Sequence, residues 1–159
     1  MVIDVESPPK RACEHCGIPL RPSEPSDYCC RGCEYVAKLI KSEGLDDYYQ
    51  LRDKVIEPVS PAALRSVDYS WLEEKVVKEQ ALRKDSGKDG RLLLDLRGIS
   101  CVGCVWLIER IFERSGIAGD LRIFPQRGQL ELSWHRGDEA ILGFFEEIHR
   151  FGYTVAPAG

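Results

Sequence analysis

The stretch Gly98-Ile99-Ser100-Cys101-Val102-Gly103-Cys104 decides how the carboxy-terminal half of this chain folds. Before it, Leu92, Leu94 and Leu96 alternate with other residues as in a strand, and after it apolar residues recur at helical spacing from Val105 onward. A Cys-x-x-Cys pair at the start of a helix lies beside free backbone N–H groups, which lower the pKa of its thiols. Such a pair suits a soft metal ion or redox chemistry.

The apolar pattern after this loop predicts the rest of the domain. Leu121 and Ile123 alternate as a second strand, and Leu130 to Trp134 as a third. A second helical pattern runs from Ile141 to Ile148, and a short last strand follows it. The order β-α-β-β-α-β predicts an α+β fold of the ferredoxin-like, split βαβ kind over residues 90–159.

Charge and composition exclude several classes of protein. The chain of 159 residues carries a net charge of −4, and this acidic balance argues against nucleic acid as a partner. No stretch is apolar enough for a transmembrane helix, and the first ten residues lack the apolar core of a secretory signal. We therefore expect a cytoplasmic location, where the seven cysteines are more often metal ligands or catalytic groups than disulfides.

The sequence divides into four predicted regions. Residues 1–10 read as a disordered leader and residues 11–55 as a Cys-rich metal-binding module. Residues 56–89 read as a partly helical linker, because a polar run with two glycines precedes residue 91 and no lysine follows Lys88. Residues 90–159 form the domain described above.

The amino-terminal cysteines form a second cluster with the spacing of a metal site. Cys13-Glu14-His15-Cys16-Gly17 resembles a zinc knuckle, and Tyr28-Cys29-Cys30-Arg31-Gly32-Cys33 leads into a helical pattern. Four thiolates would satisfy a structural zinc ion completely, although Cys29 and Cys30 compete for one position. A short helix over residues 45–51 is expected to cover this unit with its two tyrosines. Copper bound here as cargo, with Cys30 as an extra ligand, remains the alternative.

Two family resemblances follow from these motifs. The aromatic residue before Cys29-x-x-x-Cys33 resembles the small treble-clef fingers of the TRASH type, which implies zinc on Cys13, Cys16, Cys29 and Cys33. Cys30 is then spare or ready for exchange, and a Cys30-x-x-Cys33 pair stays open. 

Gly98-x-x-Cys101-x-x-Cys104 between a strand and a helix resembles the loop of heavy-metal-associated domains. This resemblance implies an exposed Cu(I) site on Cys101 and Cys104. It also implies that Tyr153 lies near the metal without binding it.

Taken together, residues 11–156 resemble the cytosolic amino-terminal region of bacterial copper-transporting P-type ATPases, in the branch linked to cytochrome oxidase assembly. The resemblance implies a metal-receiving or regulatory region that is not itself an enzyme. Its implied partners are a copper chaperone or small copper carrier, and the membrane and ATP-binding domains of the parent transporter. Its implied location is the cytoplasmic side of the bacterial inner membrane.

Two other classes of function share the Cys-x-x-Cys loop. A free-standing copper chaperone needs the loop but not the amino-terminal module. A thiol–disulfide oxidoreductase places the same pair after a strand, but typically with an aromatic residue and a proline where this chain has Ser100 and Gly103. His135 and His149 are far along the chain and are interpreted as ordinary polar residues.

Overall fold

A computed structural model of the protein describes residues 11–52, 56–59, 61–99 and 102–158. The predicted leader over residues 1–10 lies outside these ranges. The helices are α1 (Arg31–Ser42), α2 (Tyr48–Leu51), α3 (Ser70–Ser86), α4 (Val102–Arg114) and α5 (Ile141–Arg150), with 3₁₀ turns at Pro61–Leu64 and Asp138–Ala140. The strands are β1 (Gly90–Arg97), β2 (Ala118–Phe124), β3 (Gln129–Arg136) and β4 (Thr154–Pro157). None of the helices in the described ranges has both the length and the apolar character needed to cross a bilayer.

The four strands form one antiparallel sheet in the order β2-β3-β1-β4. Along β1 and β3 every second residue is buried, so one face of the sheet is apolar, as the alternating leucines predict. Leu92 lies opposite Leu132 and Leu94 opposite Leu130 at the centre of that face. The buried sides of α4 and α5 belong to the same core. The predicted mixture of helices and strands is therefore confirmed, and the elements follow one another in the expected order along the chain.

The amino-terminal part is built around α1, whose apolar side points inward. Val36, Leu39 and Ile40 are buried on that side, and Gly44 follows with φ of +69°, a conformation that glycine adopts without steric cost. The short helix expected over residues 45–51 is present as α2. These buried residues are continuous with the core beneath the sheet, so the two halves of the chain pack on each other.

The segment predicted as a linker contributes to this core. In α3, Leu72 and Val76 are buried, and Gln80 accepts a 3.0 Å hydrogen bond from the indole N–H of Trp134 on β3. Glu79 accepts a 3.2 Å bond from the backbone N–H of Arg91, in the part of β1 that extends beyond its pairing with β4. The helix therefore protects an edge of the sheet that would otherwise expose unpaired backbone groups.

This packing leaves no room for a side chain at Gly90. A Cβ atom there would lie 2.4 Å from ring atoms of the buried Trp134. We expect Gly90→Ala to displace the indole from Gln80 and to lower the free energy of unfolding by about 1–3 kcal/mol. Urea denaturation followed by circular dichroism measures this change. Gly143→Ala is the control, because no atom lies within 4 Å of its Cβ position; equal stability of the two variants would contradict the prediction.

Candidate metal centre

The first pair of cysteines lies on a tight turn closed by backbone hydrogen bonds. The N–H of Cys13 donates to the carbonyl of Ile18 (2.8 Å), and the N–H of Gly17 donates to the carbonyl of Cys13 (2.9 Å). Gly17 has φ of +82°, which explains why a glycine follows Cys16. The turn directs both thiols inward, where they are buried.

The second group of cysteines lies at the start of α1. Cys30 is the residue that caps the helix, and its sulfur accepts a 3.4 Å hydrogen bond from the N–H of Cys33. Cys33 is in the first turn and is fully buried, whereas Cys29 precedes the cap and is half-buried. The neighbouring residues Cys29 and Cys30 therefore differ in what their sulfurs contact, because the sulfur of Cys30 faces the backbone at the start of the helix.

The sulfurs of Cys13, Cys16, Cys29 and Cys33 all lie within 4.8 Å of one another. Cys29 is 3.6 Å from Cys16 and 3.6 Å from Cys33. Zn–S bonds of about 2.3 Å in a tetrahedron place sulfurs ~3.8 Å apart, so the four thiols fit a tetrahedral ion. Cys30 is 3.8 Å from Cys29 but is not in the mutually close group found among the described residues.

The protonation of the four thiols differs with their surroundings. Burial acts to raise the pKa of Cys13, but N–H groups of the surrounding backbone outweigh burial, and the net effect is a lowered pKa. Burial raises the pKa of Cys16, of Cys29 and of Cys33. A metal ion binds thiolates, so loading the cluster must release protons from these thiols.

His15 lies between the two cysteines of the turn and is buried against aromatic rings. Its ring stacks on Tyr48 at 5.7 Å, and its Nδ1 is 3.1 Å from the hydroxyl of Tyr49. Burial and the nearby charge of Arg52 lower the pKa of His15 to about 4, so the imidazole is neutral at pH 7. His15 therefore joins the turn to α2, as expected for aromatic residues that cover the metal unit.

Sequence reasoning missed the contribution of the residues after α2. The N–H of Ile56 donates to the carbonyl of Cys16 (2.7 Å), and the N–H of Val59 donates to the sulfur of Cys33 (3.4 Å). Gly32 permits this approach, since a Cβ there would lie 3.0 Å from the carbonyl oxygen of Val59. Because these contacts are made by backbone N–H groups, the identities of the side chains at positions 56 and 59 do not predict them.

The carboxy-terminal loop lies between β1 and α4. Gly98 has φ of +104°, and a Cβ there would lie 2.6 Å from the carbonyl oxygen of Gly152, which explains the glycine before the loop. Tyr153, predicted to lie near the loop, lines a small cavity together with Gly98 and Cys104. Ser100 and Cys101 lie outside the described residues. 

Cys104 is in the first turn of α4 and only 2% exposed. The expectation of an exposed loop is therefore wrong for this cysteine, which lies in the first turn of α4, where α2 packs against Gly103. Of the histidines interpreted as ordinary polar residues, His135 is exposed on β3, and His149 bonds to the carbonyl of Arg65 (2.9 Å).

Comparison with known proteins bears on the amino-terminal cluster. Residues 12–86 match the model of a family described as "Putative metal-binding domain of cation transport ATPase". This part of the chain is similar to that family. The match includes the four clustered cysteines, so the expected metal-binding region of a cation transport ATPase is confirmed. The matched region ends with α3, before the first strand of the sheet. No curated protein and no solved structure matches the chain significantly.

Proposed function

We propose that this chain is the metal-binding and regulatory region of a Cu(I)-exporting P-type ATPase, and that it accepts Cu(I) on Cys101 and Cys104 by thiolate exchange. The observation that carries the proposal is the family match, which assigns the amino-terminal region to a cation transport ATPase. The copper-specific part rests on the Cys-x-x-Cys loop, because two thiolates without further ligands suit a soft ion of low coordination number.

The architecture of residues 90–158 supports this assignment. Its order of strands and helices agrees with a ferredoxin-like heavy-metal-associated domain, with the loop between the first strand and the helix after it. A thiol at the start of a helix is near the partial positive charge of the helix dipole, which favours the thiolate. We therefore keep Cys101 and Cys104 as the cargo ligands, with Tyr153 as a neighbour of the site.

The amino-terminal cluster is proposed to hold a structural zinc ion on Cys13, Cys16, Cys29 and Cys33. The spacing of the four sulfurs supports this ligand set, and four thiolates leave no open position for catalysis. When bound, the ion would cross-link two turns that offer little apolar surface of their own. Cys30 remains the alternative ligand to Cys29.

The division of the chain and its partners are proposed on the same basis. Residues 11–55 form the cysteine module and residues 90–159 the cargo domain, with residues 56–89 connecting them. A copper chaperone or small copper carrier would deliver the ion, and the membrane and ATP-binding domains of the transporter would receive it. This places the region on the cytoplasmic side of the bacterial inner membrane.

Metal stoichiometry tests the proposal directly. Anaerobically purified wild type and the Cys101→Ser/Cys104→Ser variant receive Cu(I) in the presence of a competing chelator, and bound metals are counted by mass spectrometry. We expect one zinc ion in both proteins and one copper ion in the wild type alone. Copper that survives the double substitution would show that the amino-terminal cluster binds cargo. If neither protein binds copper, while Cys101 and Cys104 form a reversible disulfide, the oxidoreductase alternative is supported instead.

A further inference from the structure

The short helix α2 lies directly against the start of α4. Gly103 makes this contact: a Cβ there would lie 2.9 Å from the backbone nitrogen of Arg52 and 3.2 Å from the carbonyl carbon of Leu51. These distances are shorter than ordinary van der Waals contact, so the two backbones approach as closely as a glycine allows. Residues 48–52 are called the cap from here on. Cys104, the next residue of α4, is buried beside this contact.

The cap is connected to the cysteine cluster at the amino terminus. The ring of Tyr48 is buried and stacks on His15, which lies between Cys13 and Cys16. The N–H of Arg52 donates to the carbonyl of Tyr48 (2.9 Å), which closes the helical turn of the cap. The position of the cap therefore depends on the folded cluster.

Little space remains between the cap and Cys104. A cavity of about 40 Å³ is lined by His15, Tyr48 and Glu57 from the amino-terminal region and by Gly98, Cys104 and Tyr153 from the carboxy-terminal region. On this measure of volume one water molecule needs about 10–15 Å³, so the cavity holds water but not the loop of a donor protein. In thiolate exchange the donor's own thiolate still holds the copper ion when the acceptor cysteine begins to bind it. The donor loop must therefore come close to Cys104.

We infer that the cap is an autoinhibitory contact, which occupies the surface that a Cu(I) donor must reach and is displaced before copper is transferred to Cys104. The inference rests on the proposed function of the loop. In the transfer, one bond from copper to a donor sulfur breaks as the bond to the Cys104 sulfur forms, and the thiol proton passes to solvent. Copper stays in the +1 state. Because the cap is built on the cysteine cluster, loss of the ion proposed there also frees the loop.

Reactivity of the Cys104 thiol tests the cap without copper. Wild type, Gly103→Ala and Gly143→Ala are treated with iodoacetamide, and fragmentation of the tryptic peptide over residues 98–110 assigns the label to Cys104 or Cys101. Both substitutions place alanine in a helix, but only at position 103 would the new Cβ meet the cap backbone. We expect alkylation of Cys104 to be about tenfold faster in Gly103→Ala, which corresponds to about 1.4 kcal/mol in the opening equilibrium. Gly143→Ala is expected to react as the wild type does.

A second measurement applies even if Gly103→Ala does not fold. Wild-type protein is compared before and after a chelator has removed the amino-terminal metal, with metal analysis of both samples. Faster alkylation of Cys104 in the metal-free sample is expected, since the cap loses its support. Unchanged rates in both experiments would overturn the inference and show that α4 alone buries the thiol. Because neither readout involves copper, failure of copper binding in the stoichiometry experiment is a separate result.

Discussion

Cys33→Ser is expected to lose the amino-terminal metal and to unfold the region around it. Cys33 is fully buried, its sulfur is 3.6 Å from that of Cys29, and it accepts a hydrogen bond from the N–H of Val59. A serine hydroxyl is a poor ligand for a soft ion, and structural zinc in small fingers contributes about 10–16 kcal/mol of apparent binding free energy. We expect zinc affinity to fall by orders of magnitude and the free energy of unfolding to fall by more than about 4 kcal/mol.

Competition with a chromophoric chelator measures the affinity, and urea denaturation of the metal-loaded protein measures the stability. Cys30→Ser is the matched control, because Cys30 is at the same helix start but is outside the group of mutually close sulfurs. It is expected to keep its zinc. Equal losses in the two variants, or a Cys33→Ser protein with wild-type zinc affinity, would refute the ligand assignment.

Phe145→Ala is expected to destabilise the carboxy-terminal domain strongly. Phe145 is 0% exposed in the middle of α5, and its ring meets that of Phe144 with centroids 5.0 Å apart. Removing a buried phenyl ring loses its transfer free energy and leaves a cavity, at a cost of about 3–5 kcal/mol. Thermal and urea unfolding followed by circular dichroism measure the loss.

Val77→Ala provides the comparison for this core substitution. Val77 is 63% exposed on α3, where a change of side chain is expected to alter the free energy of unfolding by no more than about 0.5 kcal/mol. A small effect of Phe145→Ala, similar to that of Val77→Ala, would mean that α5 does not form the core described here.

The elements of the carboxy-terminal domain are predictable because their signals are local. Alternating leucines in β1 and the helical spacing of apolar residues in α4 and α5 depend only on neighbours a few positions away. Glycines before and after these elements indicate turns for the same reason. The spacing of Cys13 and Cys16, followed by the group from Cys29 to Cys33, likewise predicts a metal site without knowledge of the fold.

The directions of the two adjacent cysteine side chains are visible only in the structure. Spacing alone leaves Cys29 and Cys30 as competing ligands, and the treble-clef resemblance favours Cys29. In the fold, the sulfur of Cys30 caps α1, while that of Cys29 points toward Cys16 and Cys33. Adjacent side chains point in different directions, and at this position the backbone at the start of α1 sets those directions.

Local features follow from the order of the residues alone: where strands and helices form, where glycine is needed for a turn, and which cysteines are paired by spacing. The packing of α3 against β1, and of α2 against the start of α4 beside Cys104, follows only from the folded chain. The first contact uses the backbone N–H of Arg91. The second joins segments far apart in the chain and uses the room that Gly103 leaves for the backbone of Arg52. Every residue except proline has a backbone N–H, and every glycine lacks a Cβ, so neither feature indicates in the sequence which partner it will contact. The packing of the whole chain sets that partner.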